Sequence, residues 1–232
     1  MSAKIIFITG TDTGVGKTAF TGLLLTHLRS NGLHALAMKP FCCGSMEDVE
    51  ILGILQDNEL KKREINPYYF AEPVAPLVAA RKHRRIIKIG AALERLRTVS
   101  ERCDWLLIEG AGGLLTPLGE NFSAKEMIDE LKCPAICVAV NRLGTINHSL
   151  LTIKSLQQIG AQEVKVALMG TGRKDASAEE NARILSELAA PVKIYEIPFF
   201  AELAKRSMKS RVFQRFENIS KKIEKTLAEL NY

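Results

Sequence analysis

At 232 residues, with 47% hydrophobic and 25% charged side chains, the chain has the make-up of a soluble globular protein able to bury a full core without staples. No apolar run approaches a membrane span, and Met1–Lys4 enters a strand-like run without a signal-peptide pattern, so the expected setting is cytoplasmic. The net charge of +6 gathers at Arg81–Arg85 and in the tail from Lys205 to Lys225. With few aromatics and no base-reading motif, it reads as solvated surface, which argues against a nucleic-acid or membrane binder. The five cysteines (Cys42, Cys43, Cys103, Cys133 and Cys137) give neither a disulfide framework nor a zinc set and are expected as core or near-core thiols.

In chain order, Ile5–Ile8 is a buried strand, followed by Gly10-Thr11-Asp12-Thr13-Gly14-Val15-Gly16-Lys17-Thr18 and a helical pattern over Ala19–Leu25. Strand, glycine-bearing loop and helix start in that order form a phosphate cradle, in which loop amides and the helix N-terminus face anionic oxygens. Lys17 would reach the terminal phosphates and Thr18 would ligate magnesium. The strict pattern wants glycine at Thr11; here it comes one residue earlier, at Gly10. His34–Met38 reads as a second strand ending at Lys39-Pro40, and Val49–Leu55 as a helix broken at Asp57-Asn58. Residues 64–80 read as irregular, since Pro67, Pro73 and Pro76 deny a long helix.

Ile86–Ser100 is predicted as an amphipathic helix and Trp105–Ile108 as a buried strand that delivers Glu109 at its carboxyl end. Ser123, with Glu126 three residues on, predicts a capped helix to Leu131. Strands at 135–140, 164–169 and 192–197 alternate with helices at 147–159 and 178–188. Helical pieces finish the chain, with Phe213, Phe216, Ile219, Ile223 and Leu227 as a packing stripe. This alternation predicts an α/β fold in one domain over 1–232: a single doubly wound, mostly parallel sheet with helices on both faces. Ligands in such folds bind beyond the carboxyl ends of the strands. Those ends carry the phosphate loop, Lys39, Glu109, the 141–147 loop and Gly170.

Lys39 either is a solvated strand end or supplies a second cation for a transferring phosphoryl group. Asp48 and Glu109 are hard oxygen donors that could hold magnesium with Thr18. The run Glu109-Gly110-Ala111-Gly112-Gly113 lets backbone approach a ligand closely, and Leu143–His148 offers either a second anion site or a plain helix cap by Asn147.

Five blocks resemble the dethiobiotin synthetases: Gly10–Thr18, Lys39-Pro40, Asn66–Pro76 (NPYYFAEPVAP), Glu109–Pro117 (EGAGGLLTP) and Leu143–Thr152 (LGTINHSLLT). They run in the family's order. The resemblance implies a homodimeric ligase of biotin synthesis with a P-loop NTPase-like fold. It would use ATP and Mg2+ to close a cyclic urea from 7,8-diaminononanoate and CO2. By the same resemblance, Thr13, Gly14, Val15, Gly16, Lys17 and Thr18 wrap the phosphates, Lys17 and Lys39 are catalytic, and Thr18, Asp48 and Glu109 hold the metal. Gly110, Ala111 and Gly112 also line the nucleotide, and Pro198, Phe199 and Phe200 border its base. Cys43, Thr116, Gly144 and Asn147 serve the diamine, Asn147 across the dimer interface. Cys43 stands where the family often has serine. Gly170 stands where it usually has a base-reading asparagine, which implies relaxed nucleotide preference. The alternative is a P-loop ATPase switch of the partition or division-site type. Such proteins carry a lysine five residues before the loop lysine, where this chain has Asp12.

Overall fold

The computed structural model describes residues 3–172, 175–204 and 211–230; of the basic tail, 205–210 lie outside these. In chain order the first half comprises β1 (Lys4–Gly10), α1 (Lys17–Ser30), β2 (Ala35–Met38), β3 (Phe41–Cys43), α2 (Glu47–Leu55), α3 (Lys62–Ile65), β4 (Tyr68–Phe70), α4 (Pro76–Lys82) and α5 (Ile89–Ser100). There follow β5 (Trp105–Glu109), α6 (Ala124–Leu131), β6 (Ala135–Val140), α7 (Thr145–Gln158), β7 (Val164–Met169), α8 (Ala178–Leu188) and β8 (Lys193–Ile197). The chain closes with α9 (Ala201–Ala204), α10 (Val212–Lys222) and α11 (Glu224–Leu230).

Six strands form one sheet in the order β2-β5-β1-β6-β7-β8, and every pairing in it is parallel. Parallel strands covered on both sides need apolar residues at consecutive positions. Ile6, Phe7 and Ile8 in β1 and all five residues of β5 are buried accordingly. From β1 the chain passes towards β2, and from β6 it passes the other way towards β8. The crevice at the carboxyl ends of β1 and β6 is therefore the switch point, where ligands of such sheets bind. Right-handed crossovers put α1 on one face, with α2, α10 and α11 against it, and α5 to α8 on the other.

Gly22, in the middle of α1, marks where α10 comes closest. A methyl group there would collide with the Phe216 ring and lie 2.8 Å from Leu55 Cδ1. Its absence lets the fully buried Phe216 lie on the α1 surface.

The structure departs from the sequence reading in several places. A second, two-stranded parallel sheet pairs β3 with β4, so the sheet is not single. Residues 64–80 are correspondingly more ordered than expected. Pro76 sits in the first turn of α4, where a missing N–H costs nothing, so it starts a helix there. Helix α5 begins at Ile89, leaving Ile86 exposed, and α7 begins at Thr145, two residues earlier than expected. The terminal stripe is split between α10 and α11. Phe216, Ile219, Ile223 and Leu227 are buried, while Phe213 is exposed. The predicted capping box at α6 is present: Ser123 Oγ accepts the Lys125 amide and Glu126 accepts the Ser123 amide. None of the five cysteines is in a disulfide; all are buried except the half-buried Cys43.

Gly22→Ala should destabilise the protein by about 1–3 kcal/mol in urea unfolding, because overpacking at Phe216 outweighs alanine's better helix propensity. A neutral result would mean that α10 is free to move off α1.

Candidate active site

The loop after β1 turns into α1 at Gly16, which is the helix N-cap in the left-handed region at φ 97°. Lys17, the first helical residue, is buried, and its ammonium donates to the carbonyls of Asp12 at 2.8 Å and Gly112 at 2.7 Å. The lysine thus spans the phosphate loop and the glycine turn after β5. Burial pulls its pKa down to about 8; the Glu109 charge opposes the fall and the neighbouring Lys39 adds to it.

Glu109 closes β5 with 0% exposure. Its Oε1 accepts the Thr18 hydroxyl and the Lys39 ammonium, each at 2.7 Å. Lys39 also pairs with Asp48 in the first turn of α2. Burial alone would lower the Lys39 pKa, but the charges of Glu109 and Asp48 and their hydrogen bonds outweigh it and hold the group above the usual lysine range. Hydrogen bonds spanning up to 95 positions in sequence thereby join residues of one cavity of about 570 Å³, which Thr13, Gly14, Gly16 and Glu47 also line.

Among the described residues no cluster of three or more His, Cys, Asp or Glu side chains is present. An ion here would meet at most Asp48, Glu109 and the Thr18 hydroxyl, a set of hard oxygens that suits magnesium, which keeps waters and phosphate oxygens in its shell. Glu109 Oε2 is buried without a hydrogen-bond partner, as expected of an atom awaiting a cation.

A second cavity, about 830 Å³, shares Gly14, Gly16, Ala19 and Leu203 with the first. Pro198, Phe199 and Phe200 line it, together with Val15, Arg142 and Gly170. The Gly170 amide donates to Ile197 O at 2.7 Å, and a Cβ on Gly170 would lie 2.8 Å from the Phe199 nitrogen. The approach of β8 therefore closes this position to any side chain.

The remaining expected residues stand apart. Gly110 and Ala111, expected along the nucleotide, and Cys43, Thr116, Gly144 and Asn147 line neither cavity. Thr116 Oγ1 accepts the Gly113 amide at 2.9 Å, stapling the turn after Glu109. Gly144, at φ 91°, is the N-cap of α7, so Asn147 is not the cap; it lies exposed in the helix. The loop before α7 is pinned from α8: Asn181 donates to Asn141 Oδ1, and Asp175 accepts the Leu143 amide. These holding residues were not singled out from sequence, because a polar side chain reads the same whether it bonds protein or ligand.

The family model described as "AAA domain" matches residues 4–207. Among curated proteins, the ATP-dependent dethiobiotin synthetase of Anaeromyxobacter sp. (strain K) is 35% identical over 207 residues, covering 87% of this chain and 93% of the relative. That of Bacillus subtilis (strain 168) is 31% identical over 208 residues, covering 87% and 90%.

The chain belongs to the dethiobiotin synthetase family.

Members of this family are ATP-dependent ligases that form carbon–nitrogen bonds. Solved structures show a similar fold in other proteins. Septum site-determining protein MinD from Pyrococcus horikoshii, complexed with Mg-ADP, superposes with a TM-score of 0.56 at 17% identity, covering 98% of both chains. A ParA family ATPase from Chlorobium tepidum gives 0.55 at 11%, covering 94% of this chain and 98% of that one. At such identities the likeness concerns the fold alone.

The Lys17 pKa of about 8 sets a pH dependence for a nucleotide-binding ligase. A bound phosphate favours the ammonium form, so ADP affinity should be flat below that pH and fall above it by up to about tenfold per pH unit. Titration of fluorescent ADP at increasing pH would measure this, and the slope should vanish in Lys17→Met.

Proposed function

We propose that this chain is a magnesium-dependent dethiobiotin synthetase that carboxylates 7,8-diaminononanoate with CO2 and closes the cyclic urea at the expense of ATP. The observation that carries the reading is the Lys39–Glu109–Thr18 cluster, set against the buried Lys17 at the mouth of the phosphate loop. The loop from Thr13 to Thr18 would wrap the triphosphate, with Thr18, Asp48 and Glu109 holding Mg2+, which when bound offsets the charge of the phosphates. The carboxylates that would hold the metal also hold the Lys39 ammonium, so lysine and cation are set side by side.

One amine of the substrate adds to CO2 and loses a proton, giving a carbamate. A carbamate oxygen then attacks the γ-phosphorus and ADP leaves, forming a carbamic–phosphoric anhydride. The neighbouring amine attacks its carbonyl carbon; the C–O bond to phosphate breaks, a proton is lost, and the five-membered urea closes. Lys17 and Lys39 stabilise the charge that develops on the carbamate and the transferring phosphoryl group. Ring closure is intramolecular and needs mainly a held geometry.

The diamine site is completed by a second copy of the chain. In one chain Gly144 and Asn147 stand outside both cavities, and Asn147 shares its exposed side of α7 with Leu151, four residues on and 61% exposed. Exposed leucines here and at Leu143 suit a subunit interface that would bring the helix start to the substrate carboxylate. Pro198, Phe199 and Phe200 would border the base. No side chain fits at Gly170, so at that position the base would be met by backbone, beside ring faces that discriminate poorly.

Mass spectrometry after incubation with diaminononanoate, bicarbonate and Mg-ATP should show the cyclic urea, with phosphate release dependent on the diamine; release without it would favour a free-standing ATPase switch. Lys39→Ala should lower turnover by about 10²–10³-fold while nucleotide affinity stays close to wild type. Normal turnover in that variant would remove Lys39 from the chemistry. ATP, GTP and CTP should give kcat/KM values within about tenfold of one another, since stacking on ring faces does not read the hydrogen-bonding edge of a base. Strict ATP selectivity would point to a base-reading contact elsewhere in the cavity.

A further inference from the structure

Lys39 must hold its place at a point where the sheet offers it little. Strand β2 is an edge strand, bonded to β5 on one side only, and it stops at Met38 because Pro40 has no N–H to continue the ladder. On the open side of this edge, Arg29 donates to the Ala35 carbonyl at 3.1 Å, and the groups of Ala37 and Lys39 are taken by two buried carboxamides and one carbonyl. Gln56, 0% exposed, accepts the Ala37 amide at 2.9 Å and donates to the Ala37 carbonyl at 3.2 Å, in the manner of a neighbouring strand. Two residues further on, the Lys39 amide donates to Ile65 O at 2.9 Å and its carbonyl accepts Asn66 Nδ2 at 2.7 Å. The following Tyr68 amide bonds Pro40 O at 3.0 Å, and β4 then runs alongside β3.

We infer that Asn66 is a positioning residue for Lys39: its buried carboxamide, with the Ile65 carbonyl, fixes the Lys39 peptide on the open side of β2 so that the ammonium reaches Glu109 and Asp48. The Asn66 side chain donates to Lys39 and its backbone amide to the Lys62 carbonyl, and at 4% exposure it is closed to solvent. An apolar side chain would fill the same space, but it would leave the Lys39 carbonyl buried and unbonded. The Pro67 that follows restrains Asn66 to extended backbone, consistent with its φ of −133° and ψ of 86°. This gives the Asn66-Pro67 pair a role in holding the catalytic lysine that the sequence alone did not assign.

The inference rests on the reading of Lys39 given above, so its test includes a measurement that needs neither nucleotide nor substrate. Wild type, Asn66→Ala and Gln56→Ala are treated with acetic anhydride, and acetylation of Lys39 relative to exposed Lys88 is followed by mass spectrometry. Turnover and nucleotide KM are measured on the same samples. Gln56→Ala is the control for loss of a buried amide, since Ala37 carries no functional group. Asn66→Ala should acetylate Lys39 several-fold faster and lower kcat by roughly ten- to a hundredfold with nucleotide KM unchanged. Gln56→Ala should leave both within about twofold at a comparable loss of stability. Should Asn66→Ala not fold, Asn66→Leu keeps a similar volume, has neither donor nor charge and should show the same faster labelling. Unchanged Lys39 labelling in the Asn66 variants, or equal changes in Gln56→Ala, overturns the inference. Faster labelling of an otherwise inactive wild-type fold would uphold the positioning role and sink only the ring-closing reaction.

Discussion

A carboxylate with no access to solvent, at the end of a central strand, is the constraint on which the rest of this structure depends. Burying a charged group costs several kcal/mol, and removing one member of a buried pair typically costs about 3–5 kcal/mol, so a side chain placed like Glu109 depends on its partners. Its partners come from two other elements: the Lys39 ammonium at the end of β2 and the Thr18 hydroxyl in the first turn of α1, both bonded to the same oxygen. β5 lies between β1 and β2 in the sheet, so the two partners reach Glu109 from either side. The second oxygen is buried and left without a hydrogen-bond partner.

The parallel topology makes such a meeting inevitable once the residues are placed. Every strand of the large sheet ends on the same side, so residues delivered by β1, β2, β5 and β6 share one rim whatever their distance in sequence. The two ammonium groups are then tuned in opposite directions by their company. Lys17 is held mainly by carbonyl dipoles and loses to burial, whereas Lys39 sits between two carboxylates and gains from them. Burial thus lowers the pKa of one lysine while paired carboxylates raise that of the other.

Much of this was legible in the sequence because it is written in local patterns. Apolar runs of strand length, the glycine loop before Lys17 and the Ser123–Glu126 cap each depend on a few neighbouring residues, and the structure has them all. The small β3–β4 sheet was not legible, because three-residue strands on either side of prolines carry no periodicity. Neither were Gln56 and Asn66: an amide that replaces a strand neighbour is visible only once β2 is known to be an edge. The Asn147 cap failed for a related reason, since Gly144 in a left-handed conformation begins α7 without any side-chain cap. What sequence missed is what depends on which elements become neighbours.

The likeness to MinD and ParA spans nearly the whole chain, yet it does not carry their switch function with it, because function on this scaffold is set by individual positions. Asp12 is the instructive one. Its carbonyl accepts the Lys17 ammonium while its carboxylate accepts the Thr13 amide at 2.6 Å, closing the turn of the phosphate loop upon itself. A lysine at this position offers no acceptor for that amide, so the loop as built here requires an acidic or amide side chain. The second ammonium of the site is supplied instead from the end of β2, where it is tied to both carboxylates.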